Sequence, residues 1–266
     1  MQLRKFKVRF SRIDHIFISH LHGDHYFGLF GLLSSFSLLG RTNPIHIYCH
    51  AELENILNFQ FKYFPLGFEL KFHRLDENRT GIIYEDKQLT VTYFPLKHRI
   101  PTSGFVFREK QKERNLKKDM ISFYGLTIKD ILKIKLGEDF IDNTGKIIPN
   151  HLLTNPAPRP RSYAYCSDTA YEPLITDYIR NCDLLYHEST FADDLKHYAT
   201  QTGHSTARQA AEIAKMASCK KLILGHFSSR YKDLSIFAAE AREVFENSFI
   251  VTEGETYNIE LSHELK

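Results

Sequence analysis

A dense run of potential metal ligands, His20-Leu21-His22-Gly23-Asp24-His25, constrains the fold of this chain more than any other feature. An apolar run at 16–18 leads directly into it and predicts a strand buried on both faces. Imidazole and carboxylate groups packed this densely can converge only where the chain turns sharply, and Gly23 permits such a turn. His20 and His22 can chelate one Zn²⁺ ion, while Asp24 and His25 face the other way and can serve a second.

The rest of the sequence predicts a layered α/β protein, because apolar strands alternate with helical segments. Polar side chains that could bind metal stand directly after several of these strands. His98 follows the strand at 91–96, Asp168 follows 163–167 and His226 follows 221–224. Strand ends are where sites form in such proteins, because the strands are rigid and the loops are open. Each of these side chains, taken alone, is also compatible with an ordinary solvated loop residue.

Composition excludes several other classes of protein. The 266 residues are 42% hydrophobic and 25% charged, which is typical of an ordered globular chain. No apolar stretch approaches the roughly 18–20 residues that span a bilayer. The alternating N-terminus has no hydrophobic region typical of a secretory signal, and the four cysteines form no CxxC pair. We therefore expect a cytoplasmic protein with reduced, mostly buried thiols.

One segment, at about residues 108–161, departs from this pattern and is predicted to lie outside the core. It opens with a charged run at 108–119 that holds six basic residues, Arg108, Lys110, Lys112, Arg114, Lys117 and Lys118. Such a run is usually a solvated surface. It is also the composition that sequence-independent phosphate binding requires. Because the formal net charge of the whole chain is only +3, any nucleic-acid-binding patch has to be local.

The motifs together resemble a known family. HxHxDH is the signature of the metallo-β-lactamase superfamily, and the surrounding ISHLHGDHYFGLFGLL resembles ribonuclease Z, the endonuclease that processes the 3′ end of tRNA. Further matches follow in the order of that family. They are PLKHRIPTSG at 95–104, SDT at 167–169, HEST at 187–190, GHST at 203–206 and GHFSSRY at 225–231. The resemblance covers essentially residues 10 to 260.

The resemblance implies an α/β fold, a four-layer αβ/βα metallo-β-lactamase sandwich with an inserted substrate-binding arm in a single domain. It also implies two Zn²⁺ per subunit. The ligands of the first zinc would be His20, His22 and His98, those of the second Asp24, His25 and His226, and Asp168 would bridge both.

The activity implied is removal of the 3′ trailer from precursor tRNA, leaving a 3′-hydroxyl on the tRNA. Asp24 would act as general base, and His204 would protonate the leaving oxygen while Glu188 orients it. We expect His187 to orient or pack rather than to bind metal. The arm, with its six basic residues, and Arg230 would contact the substrate. The family also implies a homodimer in which one subunit's arm presents tRNA to the other's site.

Two departures from the family leave alternatives open. The usual strands before HxHxDH are missing, since only 19 residues precede His20. We therefore expect lower stability from exposed sheet edges. The arm also lacks the Gly-Pro motif of many bacterial relatives. The alternatives are a hydrolase of small phosphodiesters on the same fold and an inactive, truncated chain that still binds metal.

Overall fold

A computed structural model describes residues 2–261 of the chain. Its α-helices are α1 Gln2–Lys5, α2 Gly23–Leu38, α3 Ala51–Phe61, α4 Lys118–Tyr124, α5 Ile128–Lys135, α6 Asn150–Leu153, α7 Lys196–Thr202, α8 Ala207–Met216 and α9 Ser235–Val244. Short 3-10 helices cover Phe10–Arg12, Pro173–Asp177 and Asp193–Leu195.

The strands alternate with these helices along much of the chain. They are β1 His15–Phe17, β2 Ile45–Cys49, β3 Leu70–Arg74, β4 Gly81–Glu85, β5 Leu89–Leu96, β6 Thr102–Glu109, β7 Asn115–Leu116, β8 Phe140–Ile141, β9 Ile147–Ile148, β10 Thr154–Asn155, β11 Ser162–Cys166, β12 Leu184–Glu188, β13 Leu222–Gly225 and β14 Ser248–Ile250. None of the helices within residues 2–261 is long and apolar enough to cross a bilayer.

The chain divides into two compact units. The first comprises the described residues up to 85 together with 90–107 and 162–257, and the second comprises 86–89, 108–161 and 258–261. The first unit contains a three-stranded sheet in the order β1-β2-β3 and a seven-stranded sheet in the order β14-β13-β12-β11-β6-β5-β4. The small sheet is parallel throughout. In the large sheet, β11 to β14 are parallel, whereas β4 and β5 are antiparallel.

The first unit has the four layers expected of the αβ/βα sandwich. The two sheets face each other through aromatic contacts, with the ring of Phe17 lying 5.4 Å from that of Phe105. Helices α2 and α3 cover the outer face of the small sheet, where Leu33 and Leu53 are buried in one apolar cluster. Helices α8 and α9 contribute to a second cluster with strands of the large sheet. Burial of these two apolar clusters is the main force that holds the layers together.

Local patterns explain most of the element boundaries. Thr206 begins α8 as its N-cap, in a capping box with Gln209, which satisfies backbone N–H groups of the first turn. Two expectations fail. Strand β1 is only half-buried, because it lies at the edge of its sheet. Gly23 has no left-handed backbone angle; its missing Cβ instead lets the ring of Phe27 lie directly against it.

The second unit has its own small core of Leu126, Ile134, Ile148 and Leu153. It is built from α4 to α6 and two short antiparallel pairs, β7 with β10 and β8 with β9. Thr127 caps α5 in a capping box with Asp130. Elements this short carry little hydrophobic periodicity, so the sequence pattern alone does not reveal their bounds.

Candidate metal centre

The predicted ligands come from loops at the ends of strands and from the first turn of one helix. His20 and His22 lie between β1 and α2, and Asp24 and His25 lie in the first turn of α2. His98 follows β5, Asp168 follows β11 and His226 follows β13. Because β11 and β13 run in the same direction in one sheet, the residues that follow them meet at one edge.

The first group of side chains consists of His20, His22, His98 and Asp168, whose ligand atoms all lie within 4.8 Å of one another. Nδ1 of His22 lies 3.1 Å from Nε2 of His20 and 3.2 Å from Nε2 of His98. Three ring nitrogens aimed at one point would meet the needs of a divalent ion with N and O ligands.

The second group consists of Asp24, His25 and His226, again with ligand atoms within 4.8 Å of one another. Oδ2 of Asp24 lies 3.5 Å from Nε2 of His25. Nε2 of His25 is buried and has no hydrogen-bond partner in the described part of the chain. A buried ring nitrogen without a partner is costly, and a bound metal ion would remove that cost.

Asp168 joins the two groups through its two carboxylate oxygens. Oδ2 lies 3.4 Å from Nε2 of His20 and 3.8 Å from Nε2 of His98. Oδ1 lies 3.4 Å from Nε2 of His25 and 3.2 Å from Nε2 of His226. Asp168 and His226 also adopt left-handed backbone angles, with φ of 55° and 58°. Such strain in non-glycine residues is typical of functional sites.

Hydrogen bonds on the far side of three imidazoles aim them at the cluster. Nδ1 of His98 donates to the carbonyl oxygen of Gly203 at 2.8 Å, so Nε2 carries the lone pair. Nδ1 of His226 lies 2.9 Å from Oγ1 of Thr190, and Nδ1 of His20 lies 3.0 Å from Oγ of Ser19. Each contact fixes a ring orientation that metal binding needs.

The electrostatics of the cluster favour the protonation states in which these side chains can bind a metal ion, namely neutral imidazoles and an ionised carboxylate. Burial lowers the pKa of His22, His25 and His98, which keeps these rings neutral and able to bind metal. Burial opposes ionisation of Asp168, but the hydrogen bond with His20 and the neighbouring imidazoles hold its pKa well below the usual range. Neutral imidazoles around ionised carboxylates are the donor set that divalent transition metals prefer, so the residues fit the metal that the motif predicts.

A second network surrounds His204 and Glu188. Oε1 of Glu188 lies 2.8 Å from Nδ1 of His204 and accepts the backbone N–H of Thr169 at 3.0 Å. Thr190 Oγ1 donates to Oε2 of Glu188 at 2.8 Å and lies 2.9 Å from Nδ1 of His226. Thr190 therefore connects the predicted proton donor's partner with a predicted metal ligand. Sequence reasoning gave Thr190 no role, although it is the last residue of HEST.

Two further residues of the first unit that the sequence singled out, His187 and Arg230, are not among the clustered side chains. His187 is buried on β12, with Nδ1 donating to the carbonyl oxygen of Glu188 at 2.7 Å. The Arg230 guanidinium stacks on the rings of Phe191 and Tyr198. The six basic residues of the predicted arm belong to the second unit. Arg114 donates to Oγ1 of Thr154, and Lys117 donates to the carbonyl oxygen of Leu152.

Known proteins are similar to this chain over almost its whole length. Residues 2–128 match the beta-lactamase superfamily domain. A ribonuclease Z from Phocaeicola vulgatus is 50% identical over 98% of this chain and 85% of its own length. One from Bacteroides fragilis is 47% identical over 96% of this chain and 84% of its own length. The crystal structure of human tRNase Z, short form, superposes with a TM-score of 0.64 at 24% identity, covering 97% of this chain and 84% of the human one.

The sandwich and its histidine- and aspartate-rich strand ends define a hydrolase of metallo-β-lactamase fold. Identity near one half over almost the whole chain narrows this class further. The chain belongs to the ribonuclease Z family of endoribonucleases.

Proposed function

We propose that this chain is a zinc-dependent endoribonuclease that removes the 3′ trailer from precursor tRNA and leaves a 3′-hydroxyl on the tRNA. The observation that carries the proposal is the meeting of HxHxDH, Asp168 and His226 in one cluster, in a chain of the ribonuclease Z family. Family membership specifies the substrate class, and the cluster supplies the groups that hydrolysis of a phosphodiester needs.

We assign the ligands of two Zn²⁺ ions to the two groups of side chains. His20, His22 and His98 would hold one ion, Asp24, His25 and His226 the other, and each oxygen of Asp168 faces one group. Mn²⁺ or Fe²⁺ would also suit these nitrogen and oxygen donors, so zinc is the proposal that elemental analysis tests. When bound, such ions would lower the pKa of an attacking water and offset charge on the phosphoryl oxygens.

Three side chains would move or hold protons. Asp24 is 72% exposed at the side chain, so a water or substrate can reach its carboxylate, and we propose it as general base. His204 would give its proton to the leaving 3′-oxygen. Glu188, fully buried and bonded to Nδ1 of His204, would orient the ring so that Nε2 carries the transferred proton.

We propose that the second unit is the arm that binds the tRNA body. Residues 86–89 and 108–161 contain thirteen basic and eight acidic residues, whereas the whole chain has an excess of only three positive charges. The positive charge is therefore concentrated in this unit, as sequence-independent phosphate binding requires. Lys112 and Lys118 are exposed, and with Arg108 and Lys110 they are the candidate contacts. Arg114 and Lys117 hold the unit together as well.

The proposal also covers the cellular location and the oligomeric state of the protein. We propose that the reaction takes place in the cytoplasm, where the four cysteines, all free and buried, would stay reduced. We also propose a homodimer in which the arm of one subunit holds the tRNA whose 3′ end enters the partner's site. Analytical ultracentrifugation with and without tRNA measures the number of subunits in the assembly.

The deciding experiment compares two substrates on the metal-loaded chain, a 3′-extended tRNA and bis(p-nitrophenyl) phosphate. We expect turnover of both, with a far higher kcat/KM for the tRNA. Turnover of the small ester alone would replace this proposal with a hydrolase of small phosphodiesters. Turnover of neither, with metal bound, would indicate an inactive chain. Asp24→Ala serves as the control for contaminating nucleases.

A further inference from the structure

A stack of three side chains, Phe191, Tyr198 and Arg230, lies next to His204, and only Arg230 among them has so far been given a role, as a general substrate contact. The Arg230 guanidinium lies 5.6 Å from the ring centroid of Tyr198 and 5.8 Å from that of Phe191. Phe191 is buried, whereas Arg230 is exposed and the Tyr198 residue is 42% exposed. No carboxylate in the described part of the chain pairs with Arg230, so its planar charge is available to a ligand.

The stack is connected to His204 by two short routes. The rings of Phe191 and His204 lie 6.4 Å apart at an interplanar angle of 66°. Tyr198 lies on α7, and that helix ends at Thr202, two residues before His204. Tyr198, Arg230 and His204 therefore belong to one continuous surface of the first unit.

The chemistry of the leaving group determines which nucleotide this surface would meet. Cleavage that leaves a 3′-hydroxyl on the tRNA breaks the bond between phosphorus and O3′ of the last tRNA nucleotide. His204 donates its proton to that oxygen, so the sugar of this nucleotide has to lie against His204. Its base extends from the same sugar, and Tyr198 and Arg230 offer exposed flat groups on the Phe191 side of His204.

We propose that Tyr198 and Arg230 form a stacking subsite for the base of the nucleotide immediately 5′ of the scissile phosphate. This inference rests on the proposed function and adds a substrate contact to it. An aromatic ring and a guanidinium plane are the two surfaces on which proteins stack unpaired bases. Every base has a flat face, so the subsite would accept any base and would bind purines more tightly than pyrimidines because they stack over a larger area.

The test compares a 3′-extended tRNA that carries adenosine at this position with one that carries an abasic nucleotide there. Stacking on an aromatic residue contributes about 1–3 kcal/mol per base, which corresponds to roughly 5- to 150-fold in kcat/KM. We expect Tyr198→Ala to lose a factor in this range on the adenosine substrate. On the abasic substrate the wild type has already lost the stack, so Tyr198→Ala should lose no more than about twofold further.

Three other variants test whether the loss of kcat/KM in Tyr198→Ala comes from stacking. Tyr198→Phe keeps the ring and should retain near wild-type kcat/KM on both substrates. Arg230→Lys keeps the charge but removes the plane, and it should show most of the Tyr198→Ala loss on the adenosine substrate. Tyr63→Ala removes another exposed tyrosine, 72% exposed, outside the proposed machinery, and should change neither rate.

The outcomes separate this inference from the proposed function. Equal losses for Tyr198→Ala on the adenosine and abasic substrates would overturn the stacking subsite while leaving the nuclease proposal standing. Full activity of Arg230→Lys would show a purely electrostatic contact and would also overturn it. If the wild type cleaves neither tRNA, the proposed function fails and the subsite fails with it.

Discussion

Nδ1 of His204 lies 2.8 Å from Oε1 of Glu188, and the Glu188 residue has no exposed surface. Burial alone would lower the pKa of His204, but the hydrogen bond and the charge of Glu188 outweigh burial, and the pKa of His204 is raised. The ring is therefore protonated over a wider range of pH than an isolated imidazole. This pairing suits a general acid next to a leaving oxygen.

Removing the imidazole tests the acid role directly. We expect His204→Ala to lower kcat on precursor tRNA by about 10²–10⁴-fold, the usual contribution of a general acid. The loss should be much smaller on bis(p-nitrophenyl) phosphate, because p-nitrophenolate departs without a proton. Single-turnover assays on the two substrates measure the difference, and equal losses would assign His204 a different role.

Replacing Glu188, the partner of His204, should change the pH dependence of activity. Glu188→Gln removes the charge that raises the pKa of His204, so the pKa of His204 should fall. The protonated ring is the active form, so activity is lost as pH rises through this pKa, and in the variant that loss should begin at a lower pH. The profile of kcat/KM against pH measures it. An unchanged alkaline limb would contradict the assignment.

Asp24 combines a proposed catalytic role with an exposed position. We expect Asp24→Ala to abolish nearly all turnover, while the thermal unfolding midpoint of the metal-free chain changes little. Exposed substitutions usually alter stability by less than about 0.5 kcal/mol. Activity assays and circular dichroism of the same preparation check both statements. Substantial residual turnover would show that Asp24 is not the base.

The division of the ligands into two groups predicts metal stoichiometry. His98→Ala should reduce the bound metal from two ions per chain towards one, and His226→Ala should do the same through the other group. Asp168→Asn should weaken metal binding in both groups, because each of the two Asp168 oxygens faces one group. Elemental analysis after dialysis measures the content. Two ions retained in all three variants would contradict the assignment.

The second unit contains an ion pair that predicts acid sensitivity. A hydrogen bond with Arg161 lowers the pKa of Glu109 to about 2, from an ordinary value of 4.5. Stability from this pair is therefore present above about pH 4.5 and is lost as pH falls towards about 2. Glu109→Gln should flatten the pH dependence of urea unfolding within this window. The same steep dependence in the variant would rule the pair out as its source.

Sequence predicted those parts of the site that depend on one segment at a time. HxHxDH carries four of the proposed ligands within six residues, and Asp168 and His226 each follow a strand that its apolar run reveals. The parts it did not predict depend on strand register. Thr190 reaches both Glu188 and His226 only because β12 and β13 are neighbours in the large sheet. Likewise Nδ1 of His46 lies 2.8 Å from Nε2 of His73, a contact between β2 and β3 that neither segment signals alone.

The bounds of the strands also divide into those that the local sequence pattern predicts and those that strand pairing decides. The strand that the apolar pattern predicts at 91–96 is found as β5, which begins two residues earlier, at Leu89. Strand β4 begins at Gly81, a residue typical of turns, and its pairing with β5 fixes the segment as a strand. Local propensity is weak there, and tertiary pairing decides the structure.

End-group analysis of the products from a 3′-extended precursor tRNA tests the central claim most directly. The metal-loaded chain should release a tRNA ending in a 3′-hydroxyl and a trailer beginning with a 5′-phosphate, and Asp24→Ala should release neither. Intact precursor after incubation with the metal-loaded wild type, or a product ending in a 2′,3′-cyclic phosphate, would contradict it.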